Sequence, residues 1–384
     1  MGLLTRTLPD FPWDTLAPFA ARARAHADGI VDLSVGTPVD PTPDLVRDAL
    51  AAASDAHGYP LTHGTPALRR AVVDWFARRR GVPDLDPDAV LPTVGSKELV
   101  ALLPSLLGLG AGDVVVHPAT AYPTYDVGAR LAGATPVPAD DVADWGAGPV
   151  RLVWVNSPGN PDGTVRSVEQ LRAVVDAARA VGAVVASDEC YAELAWDEPW
   201  SGSGVPSILD PRVSGGDPTG LLAVYSLSKQ SNLAGYRAAF VAGDPRLVAD
   251  LLEVRKHAGM IVPAPVQAAM TVALGDDAHV AVQRERYRAR RALLRPALEA
   301  AGLTVDGSAA GLYLWARPAE DPADCWATVG RLADHGVLVA PGAFYGAAAA
   351  GHVRVALTAT DERVAEAARR LTGSPGRSPG PSTG

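Results

Sequence analysis

The sequence predicts an α/β fold, and three observations carry that prediction. Short β-branched runs alternate with amphipathic stretches between residues 90 and 257, the pattern of strands packed between helices. Polar residues crowd just after most of those runs, where an open sheet of this class presents ligands. From about residue 257 the character changes to a long helix followed by further strands, which reads as a second, smaller α/β domain.

The elements follow in order. Residues 1–42 are expected to form an N-terminal arm and to complete part of the smaller domain. Thr42 followed by Pro43 reads as an N-cap with proline at the first helical position, opening a helix to about residue 53 and a large domain over 43–257. Strands are expected at 90–94, 114–117, 151–155, 183–187, 221–225 and 238–242. Ser167 and Gln170 form a capping box ahead of the apolar periodicity of 171–181. The Arg-rich stretch 280–301 reads as a long helix with one charged, solvated face. Strands near 312–316, 337–339 and 353–357 and a helix over 361–371 fill the smaller domain, 258–372. The low-complexity tail 373–384, GSPGRSPGPSTG, is expected to be disordered.

Composition narrows the function. The 384 residues hold 34 basic and 43 acidic side chains, a net charge of −9 without a basic block, which argues against a nucleic-acid binder. The longest uncharged apolar run is glycine-rich and too short to span a bilayer, and the N-terminus carries no evident secretory signal. Two cysteines, Cys190 and Cys325, are too few for a disulfide framework or a cysteine metal site. The expectation is a soluble, cytoplasmic, globular protein without a metal centre. Lysine occurs only at Lys97, Lys229 and Lys256, so chemistry needing a lysine amine has three candidates.

The strand ends then supply an inventory. Gly95, Ser96 and Lys97 enter a helix after the first strand, a start suited to a phosphate. Tyr122 follows the second strand, Asn156 and Asn160 the third, and Asp188 with Tyr191 the fourth. Ser226, Ser228 and Lys229 follow the fifth, and Arg237 lies eight residues further on. Each alone has an ordinary explanation as a cap, a turn, a core aromatic or a surface ion pair. Together they offer phosphate donors, an aromatic plate, an amide, an acid–phenol pair and a lysine, which is what a phosphorylated aromatic aldehyde held as a Schiff base requires.

These pieces resemble the class I/II aminotransferases of the fold-type I pyridoxal-phosphate (PLP) enzymes. The matching segments are SVGTPVDPTP (34–43), YPLTHGTPALR (59–69), NSPGNPDGTV (156–165), SDECY (187–191), SLSKQSNLAGYR (226–237) and HVRVALTATDERV (352–364). The resemblance implies a mostly parallel seven-stranded sheet between helices, with a smaller α/β domain beside it. It implies PLP as cofactor, with Lys229 as its Schiff-base lysine and Asp188 paired to the pyridine nitrogen. Asn160 and Tyr191 then donate to the phenolic oxygen, Tyr122 stacks on the ring, and Gly95, Ser96, Lys97, Ser226, Ser228 and Arg237 form the phosphate cradle. Arg354 matches the arginine for the substrate α-carboxylate, and Gly36 with Asn160 borders the substrate. Tyr59 lies in the segment that reaches a neighbouring subunit's site, implying a homodimer that handles amino acid and keto acid substrates. Within the family the whole-chain pattern is similar to the N-succinyldiaminopimelate aminotransferases, implying glutamate-dependent amination of N-succinyl-2-amino-6-oxopimelate. Another aminotransferase, a carbon–sulfur β-lyase and a non-catalytic PLP-fold protein are the alternatives. Two departures, Asp162 after the proline and Ala238-Ala239 after Arg237, put local loop geometry in doubt.

Overall fold

A computed structural model describes residues 8–9, 12–320 and 324–373. The strands are β1 (Val31–Asp32), β2 (Val90–Val94), β3 (Val114–His117), β4 (Thr135–Pro138), β5 (Val150–Asn156), β6 (Val184–Asp188), β7 (Leu221–Ser226) and β8 (Ala238–Gly243). After them come β9 (Leu303–Asp306), β10 (Tyr313–Pro318), β11 (Val337–Leu338), β12 (Ala340–Pro341) and β13 (Val353–Ala356).

Seven strands make one sheet in the order β2-β8-β7-β6-β5-β3-β4, with β8 antiparallel to both neighbours and the remaining pairs parallel. This is the fold-type I architecture. Both faces are apolar because strand side chains alternate sides. Along β7, Leu221, Ala223 and Tyr225 enter one core with the helices Pro66–Arg79, Val168–Val181 and Ala264–Gly275. Leu222 and Val224 enter the opposite core with Ser96–Leu106, Thr124–Ala132 and Pro245–Ala258. A third core surrounds the antiparallel sheet β12-β13-β10-β9 and the parallel pair β1-β11, so the N-terminal segment packs with C-terminal strands.

The structure corrects two local expectations. Pro43, not Thr42, occupies the N-cap of the helix Asp44–Ala52 and supplies no side-chain bond; the Thr42 hydroxyl instead donates to the Asn232 carbonyl at 3.2 Å. The Arg-rich helix Ala278–Ala300 is only partly a solvated face. Arg290 is buried among Asp40 and Asp361, while Arg288 stays outside with Glu285. The capping box at Ser167 and Gln170 is present. The two departures have physical partners. Asp162 accepts from the Thr164 amide at 3.2 Å and from its hydroxyl at 2.8 Å, and Ala238 and Ala239 are fully buried in β8. Of the expected tail, only Gly373 is among the described residues, and 374–384 lie outside them. No helix among the described residues is long and apolar enough to cross a membrane.

Candidate active site

The carboxyl ends of the sheet strands and the small antiparallel sheet enclose a cavity of about 540 Å³. Every residue that the resemblance places in the site lines it except Gly95, which adjoins Arg237, and Tyr59, which is 100% exposed.

At the end of β2, Gly95 adopts φ 78° and ψ 157°, a region open essentially to glycine alone. A Cβ there would lie 2.0 Å from Nη2 of Arg237. The helix Ser96–Leu106 starts at this point, with its first amides directed to the cavity end. Facing it, the hydroxyls of Ser226 and Ser228 sit 2.8 Å apart, and Ser226 caps the one-turn helix Leu227–Gln230 that carries Lys229. Arg237, itself at φ 55°, is fixed by a 2.8 Å bond from Nη1 to the Ala234 carbonyl. A helix start, two hydroxyls and a guanidinium thus line one cavity, a donor set suited to an anion.

Deeper in the cavity, Asp188 accepts from the Tyr125 hydroxyl at 2.8 Å and from the Cys190 amide at 3.2 Å. Burial pushes its pKa above the ordinary carboxylate value despite those bonds. A buried carboxylate of this kind is suited to an incoming cation. Asn156 holds the neighbouring loop: it donates to the carbonyls of Pro158 and Asp188, and its Oδ1 accepts the Asn160 amide at 2.8 Å. The Tyr191 and Tyr313 hydroxyls meet at 3.2 Å. Lys229 Nζ donates to the Gly36 carbonyl.

Arg354, on β13, is buried with its guanidinium 3.9 Å from the ring centroid of Tyr313 and 4.9 Å from that of Tyr345. It donates to Asn160 Oδ1 at 3.0 Å and to the Ser34 carbonyl at 2.8 Å, while its Nε has no hydrogen-bond partner among the described residues. Burial opposes its charge, but Tyr313, Tyr345, Tyr191 and Tyr122 outweigh that, and its pKa lies above the ordinary arginine value. Lys97 Nζ lies 5.8 Å from the Tyr122 ring centroid, whereas Lys256 pairs with Glu253 on the surface.

This donor set fits PLP: a lysine amine, a buried carboxylate, an aromatic plate and an anion cradle open on one cavity. No group of three His, Cys, Asp or Glu among the described residues is arranged to hold a metal. Sequence reasoning missed Tyr125 and Tyr313 as site residues and placed no role on Trp13, which also lines the cavity. The spacing of Tyr125 three residues beyond Tyr122 at a helix start was the available signal for the first. Tyr313 had none, since its partner is 122 residues away.

Comparisons with known proteins agree with this geometry. The profile of the family described as "Aminotransferase class I and II" matches residues 28–371. The chain is 59% identical over 367 residues to the 4-dedimethylamino-4-oxo-anhydrotetracycline transaminase OxyQ of Streptomyces rimosus, covering 96% of this chain and 100% of that protein. It is 60% identical over 372 residues to the "probable aminotransferase Rv1178" of Mycobacterium tuberculosis, covering 97% and 87%. Among solved structures, one described as a "probable N-succinyldiaminopimelate aminotransferase" from Thermus thermophilus superposes with a TM-score of 0.82 at 28% identity, covering 95% of this chain and 100% of that one.

Proposed function

The chain belongs to the class I and II aminotransferases, which makes it a PLP-dependent transaminase, and on that premise we propose which residues carry the reaction and which acceptor it serves. The observation that carries the proposal is the convergence of Lys229, Asp188, Arg237 and Arg354 on one cavity. The cofactor, when bound, supplies an aldehyde conjugated to an electron-accepting ring, which no side chain provides. Lys229 offers the amine that holds this aldehyde and, once displaced, moves the proton off the substrate Cα. Asp188 pairs with the ring nitrogen and keeps it protonated, a partnership that relieves the buried carboxylate. Asn160 and Tyr191 donate to the phenolic oxygen, and Tyr122 stacks on the ring. Ser96, the Lys97 amide, Ser226, Ser228 and Arg237 hold the phosphate, with Gly95 leaving the room Arg237 needs. Arg354 takes the substrate α-carboxylate, with Gly36 and Asn160 beside it, and serves donor and acceptor in turn.

Tyr59 completes the site of a second copy. Its full exposure in the single chain, beside the 56%-exposed Leu61, supports a surface that a partner covers.

The proposed donor is glutamate and the acceptor N-succinyl-2-amino-6-oxopimelate. The products are 2-oxoglutarate and N-succinyl-LL-2,6-diaminopimelate, a step of lysine and diaminopimelate biosynthesis. Two things support this narrower reading: the likeness to a solved structure described by that substrate, and Lys97 as a further cation on the cavity for a distal carboxylate. A second reading has the 59% relative behind it, with a polycyclic ketone as the acceptor. The discriminating experiment measures 2-oxoglutarate release from glutamate against succinylated and acetylated keto acids and a tetracycline-type ketone. Preference for the succinylated compound is expected. Equal rates across the keto acids, or preference for the ketone, would defeat the narrow assignment. Pyruvate and ammonia from cystathionine in place of amino transfer would turn the enzyme into a β-lyase.

A further inference from the structure

Tyr313 meets more of the reaction's residues than any assignment above uses. Its hydroxyl is 3.2 Å from that of Tyr191, and its ring carries the Arg354 guanidinium at 3.9 Å. A Cβ on Gly36 would lie 2.1 Å from its hydroxyl, so the glycine whose carbonyl receives Lys229 is also the one that leaves space for this phenol. Tyr313 is 4% exposed and Tyr191 7%, so neither hydroxyl has bulk water as an easy alternative partner.

We propose that Tyr313 is a positioning residue for the transamination, its hydroxyl donating to Tyr191 so that Tyr191 presents its own proton to the phenolic oxygen of the cofactor. The inference rests on the donor role proposed above for Tyr191. The order of donation follows from the surroundings of the two phenols. Burial alone would raise Tyr313, but Arg354, whose guanidinium lies 3.9 Å from its ring centroid, and Lys229 pull the other way, and its pKa lies below the ordinary phenol value. Tyr191 goes the other way, raised by burial and by Tyr313, with Arg354 opposing and Asp188 adding to the rise. Tyr345 and Tyr287 are the other titratable groups that feel Tyr313, and both keep raised pKa values, so neither supplies a competing negative charge. The guanidinium over the Tyr313 ring draws electron density from that phenol and strengthens its O–H as the donor to Tyr191. A hydroxyl that accepts a bond in turn donates more strongly to its next acceptor.

A stronger bond to the phenolic oxygen competes with the proton on the lysine–cofactor linkage, so the chain of two phenols favours the unprotonated linkage. The test is a pH titration of the visible absorbance of bound PLP in wild-type, Tyr313→Phe, Tyr191→Phe and doubly substituted holoenzyme. Tyr313→Phe retains the ring under Arg354 and removes only the hydroxyl. Its absorbance midpoint is expected to rise by about half a pH unit, the scale of one neutral hydrogen bond. Tyr191→Phe should raise it further, and adding Tyr313→Phe to that variant should change nothing more. An unshifted midpoint in Tyr313→Phe beside a shifted one in Tyr191→Phe overturns the inference and leaves the role of Tyr191 standing. Two unshifted midpoints overturn both. A Tyr313→Phe shift that persists undiminished in the Tyr191→Phe background means that Tyr313 acts without Tyr191, which also overturns the inference.

Discussion

Gly95→Ala tests the phosphate cradle at its narrowest point. The substitution has two separable effects. A non-glycine residue held near φ 78° and ψ 157° carries about 1–3 kcal/mol of backbone strain, present with or without cofactor. The new Cβ would also sit 2.0 Å from Nη2 and 2.6 Å from Cζ of Arg237. The guanidinium is the movable party, so it swings away and the charge-assisted bond proposed for it with the phosphate is lost. Such a bond is worth about 1.5–3 kcal/mol, and Arg237 is an exposed residue, which places it at the lower end. About 1.4 kcal/mol is a tenfold change in affinity. The expected outcome is therefore a lower Tm for the cofactor-free variant and a PLP dissociation constant raised about tenfold, read by absorbance titration of the apoenzyme. The double-substitution cycle isolates the cause. In an Arg237→Ala background, Gly95→Ala should still lower the Tm but should cost no further PLP affinity. A full tenfold loss in that background would refute the argument, because the alanine would then be acting on the cofactor by some route other than Arg237.

Three further outcomes follow from the same geometry. Gly36→Ala places a Cβ 2.1 Å from the Tyr313 hydroxyl, so the ring shifts under Arg354; the glutamate KM should rise about tenfold, on the scale of a disturbed charge-assisted contact, as steady-state kinetics will show. Glu366 is held near a pKa of about 2, below its ordinary 4.5, by Arg369 and Arg370. Its stabilising contribution is complete above pH 4.5 and is lost as the pH falls towards 2, so Glu366→Gln should flatten the acid limb of a Tm-against-pH profile in that window. If Tyr59 serves the neighbouring subunit, mixing the inactive Lys229→Ala and the impaired Tyr59→Ala proteins and allowing subunits to exchange should restore activity, because one site of each mixed dimer is then wild type. No recovery after demonstrated exchange counts against the shared site.

What the sequence revealed, and what it hid, follows from the range of each interaction. The strands β2, β3, β5, β6, β7 and β8 were legible because each is a mainly apolar run that is mostly buried on both faces. Their ends were legible as a site because polar or aromatic residues follow the first five of these runs within a few positions. The edge strand β4 was not, since its TPVP carries two prolines, which argue against a central strand but are tolerated on an edge. Thr42 was misread because its hydroxyl answers to Asn232, 190 residues away, and not to its own helix. Tyr125 and Tyr313 answer to equally distant partners, Asp188 and Tyr191, 63 and 122 residues away; only the spacing from Tyr122 marks the first locally, and nothing local marks the second.

The same long-range logic explains why the lysine-bearing loop is so firmly placed. Three residues after Lys229, Asn232 adopts φ 56°, an uncommon conformation that needs support from its surroundings. Its side chain donates to the Pro41 carbonyl at 3.2 Å and to Gln283 at 2.9 Å, and its carbonyl accepts from Thr42. Gln283 donates in turn to Asp40 at 2.7 Å, and the buried Arg290 clamps Asp40 on one side and Asp361 on the other. The segment 40–42, the Arg-rich helix and the start of the helix Asp361–Leu371 therefore converge behind Lys229. An arginine that looked like one member of a solvated face is, by this chain of contacts, part of what aims the lysine. Lys229 has this backing behind it and Asp188, Tyr191 and the proposed phosphate cradle on the cavity before it, and it is this enclosure, more than the rarity of lysine, that supports its proposed role.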